Sequence, residues 1–153
     1  MVRALVAIIL LLAVSSCFDE GECLITNTNI MKVSLRLKET GELVSVTFDS
    51  VSIPHTDSVY YINQNVQGLG LPVNPGVTEM SYVLAYGGIN SGIKDTVSFA
   101  YTNQSVVLAP HCGAFPFQKN LVVVKYTTFG LDSVAVTNQT LLRDVVENVR
   151  IYF

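Results

Sequence analysis

From Met31 onward the chain alternates apolar and polar residues with period two. Met31, Val33, Leu35 and Leu37 interleave with Lys32, Ser34, Arg36 and Lys38. That spacing puts one set on a core face and the other in water, the mark of a half-buried strand. Glu39-Thr40-Gly41-Glu42 reads as a hairpin turn. Val44, Val46 and Phe48, alternating with Ser45, Thr47 and Asp49, read as the return strand. Val51–Pro54 extends it, and Pro54 marks an end or an edge. Residues 55–76 are less regular. Val59-Tyr60-Tyr61-Ile62 is strand-like, whereas Gln67–Pro72 and Asn74-Pro75-Gly76 have loop chemistry. Met80, Tyr82, Leu84 and Tyr86 form the next alternating set, and Gly87–Gly92 breaks it. Val97, Phe99 and Tyr101 follow in the same pattern. Val106–Leu108 leads to Pro110-His111-Cys112-Gly113, then come Phe115–Phe117 and the continuous apolar strand Leu121–Tyr126.

The last stretch divides in two. Ser133–Thr137 reads as a strand. Leu141, Leu142, Val145, Val146 and Val149 fall at helical spacing, so residues 140–147 are open between a short helix and a loop. Val149, Ile151 and Phe153 alternate with Arg150 and Tyr152 and predict a final core strand. Seven or eight short strands separated by turn signals, with no long amphipathic helix and no repeat, predict an all-β fold. The expected architecture is one antiparallel β-sandwich.

The opening run follows a different pattern. Met1–Cys17 has one basic residue, Arg3, and an apolar stretch from Ala4 to Val14. The stretch is too short for a bilayer span of about 20 residues and has the proportions of a secretory signal. Val14-Ser15-Ser16-Cys17 resembles the bacterial lipobox, in which the chain is cleaved before the Cys and that Cys is acylated. The expected organisation is a removed signal over 1–16, a lipidated tether over 17–29 and a β-sandwich over 30–153. The expected location is the cell envelope, lipid-anchored at the outer membrane, with the leaflet open. One acyl chain anchors only marginally and two or more hold firmly.

Charge and cysteine usage narrow the classes. The 153-residue chain carries a formal charge of −3, and removing Arg3 with the signal gives −3 − 1 = −4. An acidic chain without a Lys/Arg cluster argues against nucleic acid, which needs several cationic contacts to phosphate. It argues equally against electrostatic docking on anionic lipid. With Cys17 assigned to lipid, Cys23 and Cys112 remain as an even pair in an oxidising compartment. A disulfide is the expected use, against two unpaired thiols. A metal site fits less well, because two cysteines without nearby His or Asp spacing make a poor zinc set.

Ser105–Phe117 (SVVLAPHCGAFPF), Asp132–Asn138 (DSVAVTN) and Asn148–Phe153 (NVRIYF) are similar to an uncharacterised family of small Bacteroidetes lipoproteins. In that family a lipobox Cys and a second nearby Cys precede a later Cys-Gly, and the chain closes on a strand. Cys17, Cys23 and Cys112-Gly113 match those positions. The resemblance covers most of the mature chain, best from about residue 95 onward. It implies an all-β envelope domain and supplies no activity. Phe18-Asp19-Glu20, just after Cys17, resembles the acidic surface-export signals of such lipoproteins, although any solvated tether can carry two acids.

Candidate chemistry is sparse. His111 beside Cys112 suggests a thiol–imidazole pair, but adjacent residues on an extended segment point to opposite faces. His55 follows Pro54 and reads as surface. Two His leave little material for a zinc peptidase or a His-based triad. The sequence has no Gly-x-Ser-x-Gly elbow, and no Lys-Ser/Thr follows Gly87-Gly88 at P-loop spacing. Asp49, Asp57, Asp95 and Asp132 are scattered, as strand-end and turn acids are. Asn103-Gln104-Ser105 and Asn138-Gln139-Thr140 fit a glycosylation pattern that a bacterial lipoprotein would not use. Tyr60, Tyr61, Tyr82, Tyr86 and Tyr101, with Phe115, lie near loops or strand ends and could anchor a glycan or peptide; the competing use is core or rim packing. The expectation is a lipid-anchored, non-enzymatic envelope domain with a structural or partner-binding role, no cofactor and no metal. Its partners would be the membrane, through acylated Cys17, and an envelope protein or glycan. The alternative is a glycan- or peptide-binding accessory lipoprotein, and third a hydrolase with an unrecognised carboxylate site.

Overall fold

A computed structural model of the chain describes residues 29–87, 92–107 and 112–153. Cys17, Cys23, His111, the expected signal and nearly all of the expected tether lie outside the described residues. Ten strands form two packed sheets, and the described residues contain no helix. They are β1 (Ile30–Arg36), β2 (Val46–Ser52), β3 (Val59–Tyr60), β4 (Gln64–Val66), β5 (Gly68–Pro72), β6 (Glu79–Tyr86), β7 (Ile93–Val107), β8 (Ala114–Tyr126), β9 (Ser133–Val136) and β10 (Val149–Tyr152). One sheet has the order β5-β1-β10-β9. The other runs β3-β2-β6-β7-β8, with β4 also paired to β2.

The alternating sets become the core. Met31, Val33 and Leu35 of β1 and Val149 and Ile151 of β10 face Phe48, Tyr82, Leu84, Val97 and Phe99 of the opposite sheet, all buried. Phe48 and Phe153 each meet the ring of Tyr86 edge-on, at 6.0 and 5.7 Å between centroids. Such aromatic pairs add about 0.5–1.5 kcal/mol beyond burial.

Three expectations change, and the open choice over residues 140–147 is decided. The turn after β1 forms: Gly41 takes φ +71°, and Val44 N donates to Leu35 O at 2.9 Å. The hairpin then stops at the single bridge Arg36–Leu43. Both edges of β1 are taken, by β5 and by β10, so β2 crosses to the second sheet. Residues 68–72, expected as loop, are an edge strand whose Leu69 and Leu71 point inward. Its glycines reflect crowding, since a Cβ on Gly68 would lie 2.8 Å from Val33 O. Residues 140–147 are loop rather than helix. Lys32 Nζ donates to the carbonyls of Arg143 and Val145, and the buried Asn148 amide donates to those of Asn138 and Thr140. These ties leave Val146 in water instead of on a helical face. The sandwich is antiparallel except that β10 pairs with β1 in parallel, Val33 opposite Val149 and Leu35 opposite Ile151.

The register sets the two ends of the sandwich. Val73 N donates to Asn29 O, and Tyr101 N donates to Thr78 O. The start of β1 therefore lies at the Glu79 end of β6. Tyr86, Ile93 and Tyr126 lie at the other end. Beyond the last β6 pair, Glu79–Ala100, the β7–β8 ribbon continues past the sheet at the Asn29 end to Val107 and Ala114.

Candidate functional site

The outward face of the six-stranded sheet is built from short side chains. Strand register aligns Ser52, Val83 and Thr96 in one row and Ser81, Ser98 and Lys125 in the next. The Ser81 and Ser98 hydroxyls share a hydrogen bond of 2.7 Å. Short side chains leave a basin of about 590 Å³, floored by Ser81, Val83 and Thr96. That volume lies in the 300–1,000 Å³ range of ligand sites. A second depression of about 270 Å³, around Thr56, Ser58 and Tyr60, shares Ile53, Asn74 and Met80 with the first.

Two rigid turns form the rim. In the first, Thr56 N donates to Ile53 O at 3.3 Å, with Pro54 and His55 between them. His55 takes φ +62°. This is the geometry of a type II turn, whose third position normally asks for Gly or Asn. An imidazole is held there at a conformational cost, and costs of this kind cluster at functional sites. In the second turn the Asn74 side chain accepts from Gly76 N at 2.7 Å, and Asn74 O accepts from the Tyr101 hydroxyl at 2.8 Å.

Glu79 and Lys125 stand on opposite sides of the basin. Neither makes an ion pair among the described residues. Two strand spacings and two residues of rise separate them, roughly 12 Å. The basin therefore offers a carboxylate, an ammonium and an imidazole around a floor of short side chains, two of which, Ser81 and Thr96, carry hydroxyls. Ser81 shares its hydroxyl with Ser98 rather than with a base, and His55 makes no ion pair with a carboxylate among the described residues. The set suits recognition of a ligand with separated charges.

The tyrosines do not form the aromatic patch that their sequence positions suggest. Tyr82, Tyr86 and Tyr101 are buried, at 1, 6 and 3% exposure. Burial pushes the Tyr82 and Tyr101 hydroxyls up, the latter to about 12 despite its bond to Asn74 O. Both stay neutral and brace the 72–74 loop, since the Tyr82 hydroxyl donates to Pro72 O. Tyr60 and Tyr61 are half-buried, and the Tyr61 hydroxyl accepts from Gly70 N at 2.6 Å. His55 is exposed, as expected, but it is also a rim residue of the basin.

The shifted carboxylates hold structure together. Asp95 is fully buried. It accepts from Thr127 Oγ1 at 2.6 Å, from the amides of Phe129, Gly130 and Leu131 at 2.8, 2.9 and 3.0 Å, and from the Tyr86 hydroxyl. Burial raises its pKa, but these bonds outweigh that and hold it below the ordinary carboxylate value. Glu147 behaves alike: burial opposes ionisation, and bonds from Ser34, Arg36 and Arg150 lower its pKa overall. Asp132 pairs with Lys38 at 2.6 Å. Among the described residues, no group of three His, Cys, Asp or Glu is placed to hold a metal ion, and no helix is long and apolar enough to cross a membrane.

The basin was not legible in the sequence, because no single residue type marks it. Asp95 had one signal: it falls on the inward parity of Val97, Phe99 and Tyr101.

No curated protein and no solved structure matches the chain. A family profile, that of the family of unknown function DUF6452, matches residues 43–153. The matched span contains every lining residue of the basin and nine of the ten strands, β1 falling before it. By this match across most of its length, the chain belongs to the DUF6452 family.

Proposed function

We propose that the chain is a lipid-anchored envelope protein of the Bacteroidetes lipoprotein type, whose β-sandwich binds a partner rather than catalysing a reaction. The basin carries the binding half of this reading. It sets opposed, unpaired Glu79 and Lys125 about a floor of short side chains. A peptide segment in extended form, with charges of both signs three or four residues apart, spans that separation at about 3.3 Å per residue. A neutral glycan is favoured less, because Tyr82, Tyr86 and Tyr101, three of the five tyrosines that would stack on a sugar, are in the core, and Tyr60 and Tyr61 are half-buried.

Val14-Ser15-Ser16-Cys17 supports the anchor. The Cys23–Cys112 disulfide belongs to the same reading. Cys112 is not a free thiol, and the β7–β8 ribbon that carries it extends past the sheet at the Asn29 end. Five residues separate Cys23 from Asn29, and the six steps between them reach roughly 20 Å. The bridge would fasten the tether to the ribbon and hold the domain close to the headgroups.

Two measurements test the proposal. Radiolabelled palmitate should enter the wild-type chain and not Cys17→Ala; an unlabelled wild type removes the anchor. NMR titration of the ¹⁵N-labelled mature chain with extended peptides carrying Lys and Glu at i and i+4 should shift Ser81, Val83 and Thr96, and Lys125→Glu should abolish the shifts. Shifts produced only by neutral oligosaccharides would replace the peptide reading, and no shift with either would remove the binding role.

A further inference from the structure

The loop 127–131 presents one aromatic side chain to solvent from a backbone that cannot easily move. Phe129 is 77% exposed. Its own amide and the next two all donate to the buried Asp95 carboxylate, and Thr127 Oγ1 adds a further bond. Gly130 is pressed on the Tyr86 ring so closely that a Cβ there would lie 2.2 Å from it. The apex that carries the exposed Phe129 is thus held at three successive amides and against the Tyr86 ring. Exposed aromatics held in one conformation lose little entropy on binding and are frequent anchors at protein interfaces.

The surroundings give the partner's chemistry. A cleft of about 380 Å³ separates Phe129 from Ile93 and Lys94, and Ile93 is itself exposed. Lys94 is exposed and has no carboxylate partner among the described residues. An apolar wedge beside an uncompensated cation, on a chain of net charge −3, complements an apolar pocket edged by carboxylates. The loop stands at the Tyr86 end of β6, and the chain enters from Asn29 at the Glu79 end. These ends are roughly 24 Å apart at 3.4 Å per residue. If Cys17 holds the chain to a bilayer, as proposed above, Phe129 points away from it.

We infer that the 127–131 loop is a docking point for a second protein, with Phe129 entering an apolar pocket on that partner and Lys94 meeting acidic residues at the pocket's edge. The inference is independent of the basin, and only the outward orientation rests on the anchor.

The test places the photo-cross-linker benzoylphenylalanine at position 129 of the full chain, in the envelope of the producing cells. A second strain carries it at position 146, where Val146 is 90% exposed on the other sheet's loop. The expected result is one protein adduct from position 129 and none from 146. The cross-linked partner peptide should be apolar with Asp or Glu beside it, and Lys94→Glu should reduce the adduct at least tenfold. Glu79→Lys, which alters the basin, should leave it unchanged, so the two sites fail separately. Phe129→Ala and Lys94→Glu should melt within about 2 °C of wild type, because both side chains are in water. A lipid adduct, an adduct with a second copy of this chain, equal adducts from 129 and 146, insensitivity to Lys94→Glu, or no adduct would each overturn the inference.

Discussion

Asp95 offers the sharpest test of the physical account. Its two oxygens divide five donors: Thr127 Oγ1 and Phe129 N bond Oδ1, while Gly130 N, Leu131 N and the Tyr86 hydroxyl bond Oδ2. Asp95→Asn keeps the shape and replaces one oxygen by NH2. Whichever way the amide turns, at least two donors face another donor. Hydrogen bonds to a charged group contribute about 1.5–3 kcal/mol each. Tyr86 and Thr127 can rotate their hydroxyls, but the backbone amides cannot. The expected loss is about 3–5 kcal/mol, a large part of the 5–15 kcal/mol of a typical domain. At about 2–4 °C per kcal/mol, the melting temperature should fall by about 6–20 °C.

Urea denaturation of residues 17–153, followed by circular dichroism, measures this loss. The pH dependence gives an independent check. The folded pKa of Asp95 lies below its ordinary value, so the carboxylate's contribution is complete above the unfolded value of about 3.9 and is lost as pH falls through the folded one. The gap between wild type and Asp95→Asn should therefore be full at pH 7 and narrow in acid. A gap below about 1 kcal/mol at pH 7, or one that widens as the pH is lowered, would refute the reasoning.

Other substitutions probe separate parts of the fold. Gly130→Ala should destabilise by about 2–3 kcal/mol in urea titration, because the new Cβ meets a Tyr86 ring fixed between Phe48 and Phe153. Glu147→Gln leaves Arg36 and Arg150 without their shared carboxylate and should cost about 1–3 kcal/mol, seen as a lower denaturation midpoint. Deleting residues 149–153 removes the strand between β1 and β9, with buried Val149 and Ile151; at about 1.5–3 kcal/mol for each buried apolar side chain, calorimetry should show no cooperative transition. His55→Gly should stabilise by about 1 kcal/mol by relieving the positive φ while weakening peptide binding in the NMR titration.

The strands that read most clearly in the sequence are those with one wet face and one dry face. β1, β6 and the first half of β7 carry strict alternation, and their inward residues are the core. Periodicity reports which face is buried but not which strand lies alongside. The turn at Gly41 was legible, and the departure of β2 to the other sheet was not, because that depends on β5 and β10 already flanking β1. β5 was hidden by Gly68 and Gly70, which signal a loop locally and meet a crowding requirement in the fold. Residues 140–147 carry helical spacing, yet Lys32 and Asn148, distant and adjacent in sequence respectively, capture their carbonyls. The use of the tyrosines stayed open for a related reason: a position near a strand end does not reveal whether another sheet covers it, as it does for Tyr82, Tyr86 and Tyr101 and only in part for Tyr60 and Tyr61.

Folding alone does not account for the face that forms the basin. A solvated sheet face gains from long or branched side chains, which pair across strands and shield the backbone. Here the rows run Ser50 to Ala85 to Lys94, Ser52 to Val83 to Thr96, and Ser81 to Ser98 to Lys125. Short residues dominate, with Ser81 and Ser98 bonded to each other across the strands, so little side-chain bulk covers the sheet here. At the edge of this same face His55 occupies a turn position that glycine would fill without strain. Two local rules are broken side by side, and neither departure adds a core contact or an ion pair. Sequences under selection for stability alone would lose both, since stabilising replacements are readily found. Their coincidence at one concave surface is what the proposed binding role would require.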